Sequence, residues 1–255
     1  NSVDTLDSTQ LNNGVLQMAK RARQTKQKGS FNDMVSELER SKKTKLQILP
    51  RNLNQEQYLD ILDDTQKHIC FATGPAGTGK TMMAVQMGIK QMEAGVVDKI
   101  VVTRPAVSVD EQHGFLPGDL NAKMAPWTRP IFDFLEEFYT VKQIAAMLEN
   151  KDIEISPLAY MRGRTFKKSW IVADEMQNAT QEQTKMLLTR IGTGSKIVVT
   201  GDLAQHDRGF SNNGLKDFLE RYNSHTPKSI GHVHFTKQDV ERHPAVIDIL
   251  NIYGE

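Results

Sequence analysis

The chain has 255 residues, of which 38% are hydrophobic and 25% are charged, a composition that suits a globular protein with one sizeable core. It contains no apolar stretch near the roughly 20 residues of a membrane span, no signal-peptide core at its start, and one cysteine, Cys70, which excludes an internal disulfide. We therefore expect a cytoplasmic protein without a membrane partner.

The net charge of +1 hides a strongly basic stretch near the start of the chain. Between Lys20 and Arg51, ten Lys/Arg stand against three acids, a local net charge of +7, which leaves −6 for the remainder. Such an asymmetry is typical of an arm that binds nucleic acid, and equally of a solvated leader. We predict a basic, partly helical or disordered segment over residues 1–50 and a folded domain over residues 51–255.

After Pro50, predicted strands and helices alternate along the chain. The sequence pattern predicts a helix over 55–62, a strand over 68–73, a helix over 79–93, a strand over 99–103, a loop over 109–120, helices over 124–139 and 141–149, short strands over 153–160 and 169–174, a helix over 181–190 opened by a Thr180–Gln183 capping box, strands over 196–200 and 231–236, and a last helix over 243–253. Short, continuously apolar strands between helices indicate an α/β fold, a mostly parallel sheet with helices on both faces. In such sheets, ligands bind at the carboxyl ends of the strands.

The first predicted strand leads into a complete phosphate-loop pattern. The residues that fit G-x-x-x-x-G-K-[ST], the Walker A motif, are Gly74, Pro75, Ala76, Gly77, Thr78, Gly79, Lys80 and Thr81, and we add the next residue, Met82, to the predicted nucleotide site. Glycines let backbone N–H groups turn toward a β-phosphate, and the start of the helix adds partial positive charge. Lys80 is expected to reach the β- and γ-phosphates, and Thr81 to place its hydroxyl on Mg²⁺. The pattern therefore predicts ATP and Mg²⁺ as cofactors.

Two further strand ends carry polar residues that suit phosphate chemistry. Asp174 and Glu175 form a Walker B pair, in which Asp174 can hold Mg²⁺ and Glu175 can polarise the attacking water. Asp202 and Gln205 follow a later strand, where a glutamine can sense the γ-phosphate; an ordinary strand-to-helix turn is the alternative. The acid pair favours hydrolysis over two other functions, a small-molecule kinase and a nucleotide-binding switch with little turnover.

Read in order, these stretches resemble a known family. "GPAGTGKT", "DEMQN" and "GDLAQ" are similar to motifs I, II and III of the first lobe of superfamily 1 helicases. Together with "VVTRPAV", "GFLPGDL", "PLAYMRGRTF", "TRIGTGSKIVVTGD" and "DVERHPAVIDIL", they make the chain resemble the PhoH-like family of ATPases from about Asn54 onward. The resemblance implies a P-loop NTPase (RecA-like) core that hydrolyses ATP and does helicase-like work on RNA or single-stranded nucleic acid, with a link to phosphate starvation. Met176 departs from the family pattern, which has a small residue there.

Further residues are candidates for the site. By the resemblance, the segment "LNQEQYLDIL" reads adenine, with Gln55 favoured and Gln57 as the alternative amide, and Arg104 stands where related helicases touch a nucleic-acid strand. No arginine lies in the three phosphate motifs, so a cation that assists phosphoryl transfer has to come from elsewhere. Arg242 is the favoured candidate, with an exposed arginine as the alternative. Arg162 and Arg164 are candidates for binding nucleic acid or for holding their own loop.

A superfamily 1 helicase has two lobes, and this sequence resembles one of them. A single lobe can work if subunits form a ring in which each protomer completes the site of the next. We therefore expect a homo-oligomer, with a hexameric ring favoured, in which Arg242 reaches the phosphate of a neighbouring subunit.

Overall fold

The computed structural model describes residues 47–106, 120–205, 213–225 and 227–241, together with residues 245, 246, 249 and 252, and of residues 120–126 it describes the backbone alone. The predicted basic segment up to residue 46, the predicted loop up to residue 119 and most of the predicted last helix lie outside these residues.

Strands and helices alternate throughout the described ranges. The strands are β1 Ile69–Thr73, β2 Lys99–Arg104, β3 Ile153–Pro157, β4 Ser169–Ala173, β5 Lys196–Gly201 and β6 Ile230–His234. The α-helices are α1 Leu53–Asp63, α2 Lys80–Glu93, α3 Leu120–Glu136, α4 Val141–Glu149, α5 Gln181–Leu188 and α6 Gly214–Asn223. Short 3₁₀ turns follow three of the strands, at Leu158–Met161, Met176–Asn178 and Lys237–Asp239. Each strand and helix predicted within the described ranges is present, with ends that differ by a few residues.

Helix α3 begins earlier than the sequence pattern predicts. It includes Leu120, four residues before the expected start at Met124, so that Pro126 and Pro130 lie inside the helix. Each proline removes one N–H from the helical hydrogen-bond ladder, which makes a break the usual prediction at such positions.

Helix α6 is missing from the elements predicted above. Asn213 caps its start, because the Asn213 side chain accepts the Lys216 N–H at 3.0 Å. The helix buries Leu215 and Leu219 on one side and carries charged residues around them. Apolar residues at positions 215, 218, 219 and 222 follow the i, i+3, i+4, i+7 spacing of an amphipathic helix, so the sequence does carry the periodicity of this helix and the prediction above omits it.

All six strands of the described sheet run parallel, in the order β3-β2-β4-β5-β1-β6. Helices α1–α4 cover one face over a core that includes Leu62, Met83 and Ile131, and α5 and α6 cover the other face over a core that includes Leu187 and Leu215. The predicted α/β sheet with helices on both faces is therefore confirmed. Because β5 lies between β1 and β4, the loops that follow these three strands meet at one edge. Across the described residues, every helix is too short or too polar to cross a lipid bilayer.

Helix α2 packs on the sheet through a glycine. A Cβ atom at Gly88 would lie 2.6 Å from Cδ1 of Trp170, whose side chain is buried in β4. The Trp170 indole Nε1 donates a hydrogen bond to the Ala84 carbonyl of the same helix at 2.9 Å. The missing side chain thus lets the helix that carries Lys80 lie directly on β4.

We expect Gly88→Ala to lower the free energy of unfolding. In an ordinary helix interior, replacing glycine by alanine stabilises the folded protein by roughly 1 kcal/mol. Here the added methyl group overlaps Trp170, and overpacking of this kind destabilises the folded protein by roughly 1–3 kcal/mol. Denaturant unfolding followed by circular dichroism checks the prediction, with Glu182→Ala, exposed on α5, as the control. A stability equal to or above that of the unmodified protein would show that the helix can move away from the sheet without loss.

Candidate functional site

The loop between β1 and α2 takes a path that depends on its glycines. Gly74 and Gly79 have φ angles of 131° and 81°, which L side chains rarely adopt. A Cβ atom at Gly74 would also lie 2.2 Å from the Phe235 carbonyl oxygen, so a side chain there would collide with the backbone after β6. Gly79 is the N-cap of α2. The predicted phosphate loop is thus present between a strand and a helix N-terminus, where backbone N–H groups can bind an anion.

Lys80 directs its ammonium group into this loop. Its Nζ donates to the carbonyl oxygens of Gly74 at 2.8 Å and Pro75 at 2.6 Å, and to the Thr78 hydroxyl at 3.1 Å. Burial lowers the pKa of Lys80, while nearby carboxylates, Asp202 foremost, act to raise it. An ammonium group held by carbonyl oxygens in this way can exchange them for the oxygens of a phosphate.

The Asp174 carboxylate, just after β4, faces two hydroxyl groups. Its Oδ1 accepts hydrogen bonds from the hydroxyls of Thr81 at 2.7 Å and Thr200 at 2.6 Å. Thr81 and Asp174, the two residues predicted to hold the metal, therefore lie together, and Thr200 joins them from the end of β5 as a residue that the sequence does not single out. Carboxylate and hydroxyl oxygens are hard ligands, so this group fits Mg²⁺.

Glu175 has a left-handed backbone, with φ 54° and ψ 38°, which is uncommon for a residue other than glycine. Its carboxylate Oε2 accepts a hydrogen bond from the Gln177 side-chain Nε2 at 2.5 Å. The Gln177 Oε1 in turn accepts the backbone N–H of Asp202 at 3.0 Å. Glu175 and Asp202, predicted from separate motifs, are thus joined by Gln177, which the sequence does not mark as functional.

A cleft of about 490 Å³ runs along the phosphate loop, a size in the range of small-ligand pockets. Its lining includes most of the predicted phosphate, metal and sensor residues, namely Ala76, Gly77, Gly79, Lys80, Thr81, Asp174, Glu175, Asp202 and Gln205. Its apolar wall consists of side chains from α2 and α3, namely Met82, Met83, Trp127, Ile131 and Phe134. The same cleft extends to Gln55 and Arg104. The structure therefore gathers residues from five predicted motifs around one space.

Gln55 is buried on α1 and holds the phosphate loop in place. Its Oε1 accepts the Arg51 N–H at 2.8 Å, and its Nε2 donates to the Thr78 carbonyl at 3.1 Å. The base-reading role of Gln55 stays a prediction. Anchoring of the loop is a second role, which is not visible in the sequence because Gln55 and Thr78 are 23 positions apart.

The predicted arginines occupy different places. Arg104 lies at the end of β2 and lines the cleft. Arg164 forms a bidentate salt bridge with Glu154 on β3, with Nη2 2.8 Å from Oε2, and this hydrogen bonding raises the pKa of Arg164. Arg162 is exposed in the turn just before it, and neither Arg162 nor Arg164 is among the described residues of the cleft. Arg242 lies outside the described residues.

Comparison with known proteins identifies the family. A family model described as PhoH-like protein matches residues 47–254. The PhoH-like protein of Mycobacterium bovis is 43% identical over 214 residues, covering 81% of this chain and 58% of that protein. The PhoH-like protein of Bacillus subtilis is 39% identical over 213 residues, covering 82% of this chain and 64% of that protein. The chain therefore spans less than two thirds of the length of these curated relatives.

Among solved structures, the large terminase of a thermophilic bacteriophage aligns with a TM-score of 0.47 and 11% identity, over 80% of this chain and 50% of the terminase. The family model covers most of the chain, and the identities to the two relatives extend over four fifths of it. The chain belongs to the PhoH-like protein family.

Proposed function

We propose that this protein is a cytoplasmic, Mg²⁺-dependent ATPase that couples ATP binding and hydrolysis to RNA or single-stranded nucleic acid. The observation that carries the proposal is the 2.7 Å hydrogen bond from the Thr81 hydroxyl to Asp174 Oδ1. It brings the end of the phosphate loop against the strand that carries Asp174 and Glu175, so that one cleft combines phosphate binding, a metal-binding carboxylate and a second carboxylate suited to water.

In this mechanism, backbone N–H groups of the loop and the Lys80 ammonium bind the β- and γ-phosphate oxygens. Thr81 and Asp174 would hold Mg²⁺, which would supply positive charge beside those oxygens. Glu175 accepts a hydrogen bond from the attacking water and orients it toward the γ-phosphorus. Gln205, at the polar end of the cleft, contacts the γ-phosphate and changes its contact after hydrolysis. The apolar wall formed by α2 and α3 limits the access of bulk water.

The Asp174–Glu175 pair supports hydrolysis over the two alternative functions. A small-molecule kinase transfers phosphate to a bound hydroxyl and has no need of a carboxylate that activates water. A switch with little turnover likewise has no use for Glu175 at the cleft. Release of ADP in the absence of any added acceptor distinguishes hydrolysis from both.

With ATP and Mg²⁺, the protein is expected to release ADP and phosphate without an acceptor, and EDTA is expected to stop the reaction. Lys80→Ala should remove ATP binding and hydrolysis together, because the ammonium contacts the phosphates directly. Glu175→Gln should keep ATP binding but lower kcat by about 10²–10⁴-fold, the usual contribution of a general base. A coupled ATPase assay and binding of a fluorescent ATP analogue measure both quantities.

The matched control for this experiment is Glu182→Gln, which makes the same chemical change at an exposed position of α5. Its rate should equal that of the unmodified protein. If ADP is released only when a hydroxyl compound is added, the result would support a kinase. If the unmodified protein hydrolyses ATP no faster than Glu175→Gln, the result would support a switch.

Nucleic acid is proposed to bind at the carboxyl edge of the sheet, with Arg104 as the first contact. Arg104 lines the cleft that holds the phosphate loop, so one residue can sense both ligands. Arg162 is exposed and can add a phosphate contact, whereas the guanidinium of Arg164 is already paired with Glu154. The basic stretch between Lys20 and Arg51 supplies further positive charge.

RNA or single-stranded DNA is expected to raise the ATPase rate, and its binding should weaken as salt rises, because contacts to the phosphate backbone release counterions. Arg104→Ala and Arg162→Ala should weaken binding and reduce this stimulation. Arg221→Ala is the control, since Arg221 forms an exposed ion pair with Asp217 on α6. Fluorescence anisotropy and ATPase assays across a salt series make the test; an affinity that does not change with salt would contradict the proposal.

We further propose a homo-oligomer, with a hexameric ring favoured, in which Arg242 completes the site of a neighbour. Leu49, in the lining of the cleft, and Leu53, at the start of α1, are 75% and 81% exposed, and a subunit contact would bury both. The backbone N–H of Glu241 donates to the Gly77 carbonyl of the same subunit at 3.0 Å, so the residue before Arg242 lies at its own phosphate loop, and the test has to distinguish an Arg242 that serves its own site from one that serves a neighbour's.

Native mass spectrometry with ATP and Mg²⁺ is expected to show hexamers. Arg242→Ala and Lys80→Ala should each be inactive alone. Mixing them should restore part of the ATPase rate, because the intact phosphate loop of an Arg242→Ala subunit can then lie beside the intact Arg242 of a neighbouring Lys80→Ala subunit. A protein that stays monomeric would contradict the oligomer, and hexamers without recovery on mixing would contradict the role of Arg242 between subunits.

A further inference from the structure

We infer that Gln177 is a positioning residue, which fixes the Glu175 carboxylate and ties it to the turn at Asp202. The inference rests on the proposed ATPase function and adds to it a residue that acts through Glu175. The Gln177 side chain is 4% exposed, and both ends of its amide group are hydrogen-bonded. Burial of a glutamine side chain is unfavourable unless both the donor and the acceptor of its amide are hydrogen-bonded, as they are here.

The two contacts of Gln177 define the orientation of its amide. The Asp202 backbone N–H can only donate, so the atom that faces it is the oxygen, at 3.0 Å. The ionised carboxylate of Glu175 can only accept, so the atom that faces it is the nitrogen, at 2.5 Å. An amide satisfies both partners at once, whereas an acid or an apolar side chain of the same length satisfies one of them at most.

The surroundings of Gln177 leave its amide little room to move. A Cβ atom at Gly201 would lie 2.8 Å from the Gln177 Oε1 and 2.6 Å from the Leu215 side chain. The end of β5 therefore approaches the amide as closely as it does because residue 201 is glycine. On the other side, the Asn178 N–H donates to the Glu175 carbonyl at 3.0 Å and closes the 3₁₀ turn. The backbone of Glu175 is thus held by the turn, and its carboxylate by Gln177.

This arrangement has a consequence for the attacking water. Gln177 holds one carboxylate oxygen of Glu175, so the other oxygen is the one to accept a hydrogen bond from water. If Gln177 is removed, the Glu175 side chain loses the bond that selects its orientation, while the contacts of Thr81 and Asp174 stay intact. The loss then falls on the chemical step and leaves ATP binding in place.

The second contact connects this orientation with the sensor turn. Gln205 follows Asp202 in that turn, and its backbone N–H donates to the Asp202 carbonyl at 3.2 Å. A displacement of the turn when Gln205 meets the γ-phosphate moves the Asp202 N–H, and through the Gln177 amide it moves Glu175. The two hydrogen bonds of Gln177 therefore link the state of the γ-phosphate to the position of the Glu175 carboxylate, the proposed general base.

Two variants separate positioning of Glu175 from simple support of the Asp202 turn. Gln177→Glu retains an oxygen for the Asp202 N–H but presents a carboxylate to Glu175 in place of the NH₂ group. Gln177→Met keeps the length and loses both bonds. If Gln177 positions Glu175, both variants lower kcat by about 10- to 100-fold, and Gln177→Met leaves the Kd for a fluorescent ATP analogue unchanged. Gln181→Glu, exposed at the start of α5, adds the same charge and should behave as the unmodified protein.

A double variant tests whether Gln177 acts through Glu175. In single-turnover measurements, Gln177→Met combined with Glu175→Gln should be no slower than Glu175→Gln alone, because the group being positioned is already absent. Equal additional loss in both backgrounds would overturn the inference, as would a kcat for Gln177→Glu equal to that of the unmodified protein. Lack of hydrolysis by the unmodified protein would instead overturn the proposed function, so the two failures are distinguishable.

Discussion

Asp174 Oδ1 accepts two hydroxyl hydrogen bonds, from Thr81 in the first turn of α2 and from Thr200 at the end of β5. These contacts join the phosphate-loop helix to two strands of the sheet through one oxygen atom. The backbone adds a third strand, since the Asp174 N–H donates to the Thr103 carbonyl at the end of β2, at 2.9 Å. The positions of the loop, the metal-binding oxygens and the strand ends are therefore interdependent, because a shift of any one element breaks a bond to Asp174.

The charges around this contact favour a bound cation. Asp202, Glu175 and Asp174 all lie close enough to Lys80 to act on its pKa. Three carboxylates beside a single ammonium group would repel a triphosphate if nothing else were bound. In the proposed function, a divalent cation at Thr81 and Asp174 would reverse that repulsion, so nucleotide and metal are expected to stabilise each other's binding. The donors present, carboxylate and hydroxyl oxygens, are those that suit Mg²⁺.

The sequence predicts those parts of the site whose residues are neighbours both along the chain and in the structure. The loop from Gly74 to Thr81 and the Asp174–Glu175 pair are local patterns that follow buried strands, and the structure places them at one edge. Gln177 meets Asp202 across 25 positions, and Gln55 meets Thr78 across 23, so their contacts depend on how the strands and helices are arranged. Helix α6 is a different case, because its apolar residues at positions 215, 218, 219 and 222 follow the i, i+3, i+4, i+7 spacing of an amphipathic helix, a local signal that the prediction above omits.

The arrangement of β2 and β4 offers a short physical route between the two proposed ligands. Arg104 is the last residue of β2 and directly follows Thr103, whose carbonyl accepts the Asp174 N–H. A nucleic-acid phosphate bound to Arg104, as proposed, would act on a strand end one residue from that hydrogen bond. Asp174 in turn carries the contact with Thr81, and the next residue, Glu175, is held by Gln177. In the proposed function, coupling between nucleic acid and hydrolysis would therefore run through the end of β2 within this one cleft.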